Sequence, residues 1–367
     1  MRIERIALRD FRSYEDAELS LGPGLTIVHG ANGAGKTNLL EGLYFGCTGR
    51  SFRTTNERHL IRQGASTARV VVRGEDLDGP HELAVGLEPG EPKRMTSDGA
   101  PVERLIDAPH RPLISVFSPD RLELIKGQPG VRRAHLDQFV AALWPARAAD
   151  RRTYSQVLSQ RNALIAGIRA GRASRASIST WDRQLARHAL ILREHRAAAV
   201  AHLAEPFAQR ACQLGLSGAA SLDYRPRSRA LDEDEFVAEL QARLPGDLER
   251  GFSTHGPHRD ELAPLRDGRE LRVYGSQGEQ RLALLALLLA ERTVLARERR
   301  RTPLMLFDDV MSELDSERRE LLAGELSRGG QSVIATTDLA HVPGAGAAEV
   351  TRLRVSPGAI LQEALAA

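Results

Sequence analysis

Hydrophobic and polar residues alternate along the first part of the chain in the pattern of strands that are buried on one face. Two dipeptides in this region, Asp78-Gly79 and Asp98-Gly99, have the composition of tight hairpin turns. A short apolar run that begins at Pro112 is typical of a fully buried strand. The pattern therefore predicts strands at residues 2–9, 15–21, 68–74, 83–87 and 112–117.

The pattern changes after Pro119, where β-branched runs become rare. Residues 120–215 are rich in Ala, Arg, Leu and Gln, and apolar residues recur at helical spacing, as at Leu185, Ala189 and Leu192. A Gly- and Ser-rich break at 171–179 divides this helical stretch. Strands and helices alternate again from residue 221, which predicts an α/β core that is interrupted by a helical insertion. The elements predicted there are helices at 280–297 and 317–326 and strands at 303–307 and 332–336.

Composition narrows the cellular locations and the kinds of partner that we expect for this 367-residue chain. Its longest apolar run, 282–290, is too short to cross a membrane, and the alternating start of the chain does not resemble a signal peptide. With only Cys47 and Cys212, a disulfide framework is not expected, so we expect a cytoplasmic protein without a membrane partner. The net charge of +3 is small, but arginines concentrate at 147–196 and 292–301, which permits a polyanionic partner.

One segment matches the phosphate-binding pattern G-x-x-x-x-G-K-[ST] in full. It follows the β-branched run 25–28 and precedes a helical stretch at 38–45, and this strand–loop–helix context is what the motif requires. Backbone amides of the loop would surround phosphate oxygens, Lys36 would reach the β- and γ-phosphates, and the Thr37 hydroxyl would be a Mg²⁺ ligand. The residues of the predicted nucleotide site are Gly30, Ala31, Asn32, Gly33, Ala34, Gly35, Lys36 and Thr37.

An ordinary glycine-rich turn is the alternative interpretation of this loop. The lysine content of the chain argues against it, because Lys36, Lys93 and Lys126 are the only lysines among 51 basic residues. A lysine at the motif position in so arginine-biased a sequence favours a nucleotide site.

A second candidate segment is the buried strand 304–307, which ends in Asp308 and Asp309. A carboxylate at the end of a parallel strand beside a phosphate loop can hold Mg²⁺, and the next one can orient and deprotonate the attacking water. We therefore predict Asp308 as a metal ligand and Asp309 as the general base. A strand that merely ends in a polar turn would be the simpler explanation if the phosphate loop were absent.

The segment 274–280 precedes the most apolar predicted helix and contains Ser276, Gly278 and Glu279. The spacing of Ser276 and Glu279 is that of a capping box, which is a sufficient structural explanation. The functional alternative is a second anion site, formed by the serine hydroxyl and nearby backbone amides at a helix N-terminus. A His-x-x-His pair, His255 and His258, lies near Asp260, and a structural role is favoured over metal binding there.

Taken in chain order, the segments 30–37, 274–280, 304–309 and 312–315 resemble the phosphate loop, signature, metal strand and D-loop of ABC ATPases. In detail the chain resembles the RecF family of DNA replication and repair proteins, which are close to the SMC and Rad50 ATPases. The resemblance extends over essentially the whole chain, and Phe-Ser-Pro-Asp at 117–120 and Gly-Pro-His-Arg-Asp at 256–260 make it specific. The other matching segments are 6–14, 33–41, 127–133 and 308–315.

The resemblance implies an α/β fold of the ABC type, an SMC/Rad50-like ATPase head with an inserted helical lid domain. The expected domains are 1–118 with the phosphate loop, 119–235 as the helical lid, and 236–367 with the signature and the metal strand. ATP and Mg²⁺ are the implied cofactors, and ATP would be held between two subunits, with Ser276 and Gly278 of one facing Lys36 of the other. Asp309 stands where transport ATPases usually have Glu, so we expect weak ATP hydrolysis that serves as a switch.

The resemblance also implies partners and a cellular role. The partners would be single- and double-stranded DNA at gaps and junctions, a second copy of the chain in the presence of ATP, and mediators that resemble RecO and RecR. The role would be to help load the RecA recombinase in DNA repair, replication restart and the SOS response to DNA damage.

Two other functions share the same site residues. An SMC/Rad50-like chromosome-associated ATPase would need a long heptad arm, and the insertion here is short and irregular. The ATP-binding subunit of a transporter would carry a Gln and a switch His. Ser118-Pro119 stands at the first of these positions, and Thr336, Thr337 or Asp338 at the second.

Overall fold

The computed structural model describes residues 1–327 and 329–363. These residues form two compact units: the first contains Met1–Arg121 and the chain from Arg300 onward, and the second contains Leu122–Arg299. The domain boundary expected at residue 236 is therefore not where the two units divide, because 236–299 groups with the helices that precede it. In the described part of the chain no helix has the length and apolar character needed to span a membrane.

Most elements fall where the hydrophobic pattern predicts them. The strands are β1 Arg2–Phe11, β2 Tyr14–Ser20, β3 Leu25–His29, β4 Ala68–Asp76, β5 Gly79–Leu87, β6 Arg94–Ser97, β7 Ala100–Pro101, β8 Ile114–Phe117, β9 Ala220–Arg225, β10 Glu261–Arg266, β11 Arg269–Glu270, β12 Leu304–Asp308, β13 Ser332–Thr336, β14 Thr351–Ser356 and β15 Ala359–Gln362. The α-helices are α1 Lys36–Thr48, α2 Glu123–Lys126, α3 Pro129–Leu143, α4 Ala148–Arg169, α5 Ile178–Gln213, α6 Glu233–Arg250, α7 Leu271–Tyr274, α8 Gln277–Arg299 and α9 Ser316–Ser327. Both predicted hairpins are present: Asp98-Gly99 forms the turn between β6 and β7, and the turn between β4 and β5 is 77–78, one residue before the predicted dipeptide.

The first unit contains two sheets. One is antiparallel throughout, with the order β2-β1-β4-β5-β6-β7. The other has the order β15-β14-β3-β13-β12-β8, and its strands are parallel except for the edge strand β15. Helix α1 contacts strands of both sheets, and its Leu39, Leu40 and Leu43 belong to the core cluster that the two sheets share. The parallel strands bring their carboxyl ends to one edge of the sheet, where ligand sites of α/β proteins lie.

The second unit is mainly helical, with a small sheet of order β11-β10-β9. Its longest helix, α5, contacts α3, α4, α6, α8 and β9. Helix α8 is buried on nearly all sides over 282–290, which explains why its sequence is apolar without a polar face. The helical break expected at 171–179 is observed at 170–177, between α4 and α5, and the last two residues of the expected break already belong to α5.

Buried charged side chains also hold the second unit together. The guanidinium of Arg196 on α5 bonds both carboxylate oxygens of Asp137 at 2.8 and 3.1 Å, the Pro257 carbonyl at 2.7 Å and Asp260 at 3.2 Å. Tyr224 donates a further hydrogen bond of 2.5 Å to Asp260. The Gly-Pro-His-Arg-Asp segment therefore helps to hold this unit together, because a buried charge is stable only when it is paired and hydrogen-bonded.

Candidate nucleotide-binding site

The phosphate loop connects β3 to α1 at the carboxyl-end edge of the parallel sheet. Gly30 and Gly35 have φ angles of 153° and 114°, which side-chain-bearing residues rarely adopt. A Cβ on Gly30 would lie 2.2 Å from the carbonyl oxygen of Val355 in β14, and one on Gly35 would lie 2.9 Å from the Tyr14 hydroxyl. The motif glycines at these two positions are thus required by the packing of the loop against its own unit.

Lys36 is the first residue of α1, and its side chain turns back over the loop. The ammonium donates hydrogen bonds to the carbonyls of Gly30 at 2.7 Å and Ala31 at 2.9 Å. Burial lowers the pKa of Lys36, while Asp309 and Asp308 act in the opposite direction. The lysine is therefore a nearly buried cation whose direct partners are neutral carbonyls.

Thr37 and Asp308 meet at the same edge. The Thr37 hydroxyl lies 2.9 Å from each carboxylate oxygen of Asp308, which is the last residue of β12. Burial raises the pKa of Asp308, against the Thr37 hydrogen bond, and the neighbouring charge of Asp309 acts in the same direction as burial. Hydroxyl and carboxylate oxygens are the donors that Mg²⁺ prefers, so this pair suits such an ion.

Asp309 follows the strand in the left-handed conformation, with φ 54°. Its amide donates to the Ala335 carbonyl at 3.0 Å, which ties the turn to β13. Its buried Oδ1 has no hydrogen-bond partner among the described residues. A carboxylate oxygen that is held in place but not hydrogen-bonded is available to accept a proton.

Other polar groups follow the neighbouring parallel strands. Ser118, directly after β8, is buried, and its Oγ has no hydrogen-bond partner among the described residues. Thr336, at the end of β13, donates its hydroxyl to the Asp338 carbonyl at 3.0 Å, whereas Thr337 and Asp338 are exposed. Of the three candidates for the switch position, Thr336 and Asp338 thus have side chains engaged locally, Asp338 by accepting the Ala340 amide at 2.9 Å.

A cluster around Glu41 supports α1 from the side, and its roles were not predicted. The carboxylate of Glu41 is fully buried and receives two 2.8 Å hydrogen bonds from Arg12 and one of 2.5 Å from Ser51. Arg53 reaches the same carboxylate at 3.3 Å and Asn38 at 3.1 Å. These contacts orient the first turns of the helix that carries Lys36 and Thr37.

The signature candidates Ser276 and Gly278 belong to the second unit, at the start of α8. Both residues are exposed. The predicted capping box is confirmed, because the Ser276 amide donates to Glu279 at 2.8 Å and the Glu279 amide to Ser276 Oγ at 3.3 Å. The hydrogen bond from the Ser276 amide lowers the pKa of Glu279. The structure thus presents an exposed helix N-terminus at the predicted position.

The His-x-x-His pair has structural partners. His258 Nε2 donates to the Ser253 carbonyl at 3.0 Å, and its Nδ1 lies 2.6 Å from the Tyr154 hydroxyl. Burial lowers the pKa of His258 to about 4. His255 lies 2.6 Å from Glu239. Both histidines thus have polar partners within the second unit, and their structural role stays our prediction.

Comparisons with known proteins find a family model and relatives that match this chain. The family model described as an AAA domain matches residues 5–80. The DNA replication and repair protein RecF of Acidothermus cellulolyticus is 37% identical over 349 residues, which is 91% of this chain and 93% of that protein. The RecF protein of Myxococcus xanthus is 36% identical over 372 residues and covers 98% of this chain and 97% of its own length.

Solved structures extend the comparison to the fold. A structure of the recombination mediator protein RecF with ATP, from the RecFOR pathway, superposes with a TM-score of 0.88 at 25% identity, covering 99% of this chain and 98% of that one. An SMC head bound to the C-terminal winged-helix domain of ScpA superposes with a TM-score of 0.61 at 17% identity, covering 100% and 98%. The likeness to the SMC head concerns the fold alone. The expected fold, an ABC-type, SMC-like ATPase head, is confirmed.

Proposed function

The chain belongs to the RecF family of DNA replication and repair proteins, and from this membership we propose that it is an ATP-controlled DNA-binding protein of recombinational repair and replication restart. The observation that carries the proposal is the contact of Thr37 with Asp308 beside the buried Lys36. It joins the phosphate loop to the metal strand across the intervening β13, as a nucleoside triphosphate site requires.

ATP would bind with its phosphates over the loop and the N-terminus of α1. Lys36 is placed to exchange its two carbonyl partners for phosphate oxygens, because a charged acceptor makes a stronger hydrogen bond than a neutral one. Thr37 and Asp308 would hold Mg²⁺, which neutralises phosphate charge when bound. Asp309, with its unpaired buried oxygen, would accept the proton of the attacking water.

The switch would operate through two copies of the chain. Ser276 and Gly278 lie at an exposed helix N-terminus, which favours an anion. We assign them to the γ-phosphate of ATP bound by Lys36 of a second copy, so that ATP holds the dimer and hydrolysis releases it. The dimer would bind gapped or junction DNA through backbone phosphates and, with mediators resembling RecO and RecR, help load RecA on single strands.

The SMC-like fold also fits a chromosome-associated ATPase. That alternative needs a long coiled-coil arm, and the two longest helices of the second unit, α5 and α8, have only 36 and 23 residues. The helices present here form a compact unit with a shared core, so we favour the repair function.

The test is binding to a gapped DNA duplex with ATP, with ADP and without nucleotide, at two salt concentrations. The Lys36→Arg variant keeps the charge but replaces a compact ammonium with a wider guanidinium. Lys126→Arg is the matched control, because Lys126 is half exposed on α2 and pairs only with Glu123 at 3.8 Å in the described chain. We expect ATP to tighten binding in the native protein and in Lys126→Arg but not in Lys36→Arg. Binding that ignores nucleotide in all three proteins would contradict the proposal.

A further inference from the structure

Three side chains with metal-ligand chemistry meet in the first unit, at residues that the nucleotide site does not use. Asp76 is the last residue of β4, and His81 lies on β5 across the hairpin turn. His110 lies in the segment before β8. One ligand atom from each residue lies within 4.8 Å of the other two. Among the described residues this is the only such group of three or more.

The distances within the group are close to those of a coordination shell. His81 Nε2 lies 3.0 Å from Asp76 Oδ1, and His110 Nδ1 lies 3.3 Å from Asp76 Oδ2. Ligand atoms of a tetrahedral Zn²⁺ site stand about 3.3 Å apart, given bonds of about 2.0 to 2.1 Å. The two imidazoles are stacked, with ring centroids 3.8 Å apart and an interplanar angle of 11°. Because the stacked rings are parallel and face different oxygens of Asp76, at least one imidazole, that of His110, would have to turn for both nitrogens to bind a single ion.

The other ring nitrogen of His81, Nδ1, faces a carboxylate, which is the kind of partner that metal-binding histidines use. Its Nδ1 lies 2.9 Å from Asp98 Oδ2, and the other oxygen of Asp98 accepts the Glu82 amide at 2.8 Å. Asp98 sits in the turn between β6 and β7, so its carboxylate is fixed by the sheet. A carboxylate that accepts Nδ1–H directs the Nε2 lone pair outward, towards Asp76. This arrangement favours coordination by Nε2.

We infer that Asp76, His81 and His110 form a binding site for a divalent transition-metal ion, with Zn²⁺ as the best match. Two imidazole nitrogens and one carboxylate oxygen suit Zn²⁺, whereas Mg²⁺ and Ca²⁺ prefer oxygen donors throughout. The three side chains are 13%, 9% and 25% exposed, so a fourth position is open to water or to the exposed Asp78, whose Oδ2 lies 3.7 Å from His110.

Such an ion would link parts of the first unit that are distant in sequence. Asp76 and His81 belong to the antiparallel sheet, and His110 belongs to the segment that leads into β8 of the parallel sheet. The site would stabilise the unit against unfolding, because a ligand that binds only the folded state shifts the equilibrium towards that state. No hydrolytic step is assigned to it.

The test is equilibrium binding of Zn²⁺ to the nucleotide-free full chain in excess Mg²⁺, followed by metal analysis after dialysis. Binding of Co²⁺, whose visible spectrum reports tetrahedral coordination, gives an independent signal. We expect one Zn²⁺ per chain and a rise in Tm on addition of Zn²⁺. The variants are His110→Gln, which changes a half-buried ligand, and His59→Gln, the matched control at an exposed histidine of the same unit.

Asp98→Asn tests the supporting carboxylate without removing a ligand. Asn keeps the acceptor for the Glu82 amide and tolerates the left-handed backbone at this position, where φ is 51°. With its oxygen towards the Glu82 amide, the Asn side chain would present its NH2 group, a donor, to His81 Nδ1 and could not accept Nδ1–H, so we expect about 10- to 100-fold weaker Zn²⁺ binding. His110→Gln is expected to lose at least as much, and His59→Gln is expected to bind like the native chain.

Two results would overturn the inference. One is the absence of stoichiometric Zn²⁺ binding and of a Tm shift in the native chain, which would leave the cluster as an ion-paired clamp. The other is Zn²⁺ binding that is equal in native, His110→Gln and Asp98→Asn chains, which would place the ion elsewhere. Neither outcome depends on ATP or DNA, so the proposed function is tested separately.

Discussion

Lys36 and Arg196 are both buried cations, one in each compact unit, and their partners differ in kind. Lys36 is held by two neutral carbonyls of its own loop. Arg196 is held by two carboxylates and a carbonyl from residues 59 to 64 positions away. Carboxylates neutralise a buried charge fully, whereas carbonyls leave it able to attract an anion. The comparison separates a cation that is prepared for a ligand from one that is used to hold the fold.

The carboxylates show the same contrast. Asp309 keeps a buried oxygen without a hydrogen-bond partner in the described chain, at the edge where the phosphate loop lies. Asp260 accepts from Arg196, Tyr224 and the Arg227 amide. Asp309 thus keeps an oxygen that can accept a proton, whereas both oxygens of Asp260 are engaged in holding the fold.

The largest effect is expected for Asp309→Asn. This change keeps the size of the side chain but removes the basic oxygen, so ATP hydrolysis should fall about 100-fold or more while ATP binding persists. The measurements are single-turnover hydrolysis and nucleotide binding at equilibrium. Asp315→Asn is the control, because Asp315 is exposed and caps α9 through its Oδ1, a role that Asn can fill. Full activity in Asp309→Asn would exclude Asp309 as the base.

Arg196→Met should weaken the fold by about 3 kcal/mol or more, because it leaves buried Asp137 and Asp260 without their shared cation. The two carboxylates keep other partners, Arg151 for Asp137 and Tyr224 for Asp260, which places the loss at the lower end of the range for broken buried pairs. Urea unfolding measures the change.

The matched control is Arg183→Ala, an exposed arginine on the same helix, which should change stability by less than about 0.5 kcal/mol. Equal effects of the Arg196 and Arg183 substitutions would contradict the structural role given to Arg196.

The stability of the fold should depend on pH through His258, because burial lowers the pKa of this side chain from 6.5 to about 4. The unfolded chain takes up this proton below about pH 6.5 and the native chain only below about pH 4, so stability falls as pH decreases through that window. The full loss is about 3 kcal/mol at pH 4 and less at higher pH. Urea midpoints across this range measure it, and His258→Gln should flatten the slope, whereas His59→Gln should not.

The smallest effect on stability is expected at Ser276, where a structural and a functional role coincide. Ser276→Ala removes the helix cap and should cost about 1 kcal/mol of stability. Ser276→Asp keeps the cap but places a negative charge where we propose the γ-phosphate to bind. We expect both variants to lose ATP-dependent dimerisation, measured by light scattering, and only Ser276→Ala to lose stability. Dimerisation that survives in Ser276→Asp would contradict the assignment.

The local parts of the site are the parts that the sequence predicts. The phosphate loop, Asp308 and the capping box at Ser276 each lie within a few residues, where spacing alone constrains geometry. The same holds for the hairpin turns and for the apolar strands β12 and β13.

Contacts over long sequence separations escape such analysis. Arg12 with Glu41 and Arg196 with Asp137 are ordinary charged residues in the sequence, and only the packing of distant segments brings each pair together. The division at residues 122 and 300 is a related case, because the apolar helix α8 could serve either a parallel sheet or a helical unit. The elements that α8 packs against decide which unit it joins. Its main partner, α5, lies far upstream in the sequence, so the local pattern of α8 does not reveal it.

The order of strands in the parallel sheet has a consequence for folding during synthesis. Strand β3, which leads into the phosphate loop, has β13 and β14 as its two neighbours, and these are about three hundred residues later in the chain. A ribosome therefore has to make about three hundred further residues before β3 can pair, and such non-local pairing slows folding and exposes apolar strand edges meanwhile. The antiparallel sheet can form from the first hundred residues alone. ATP binding is thus a property that the growing chain acquires last, and a prematurely ended chain would lack it.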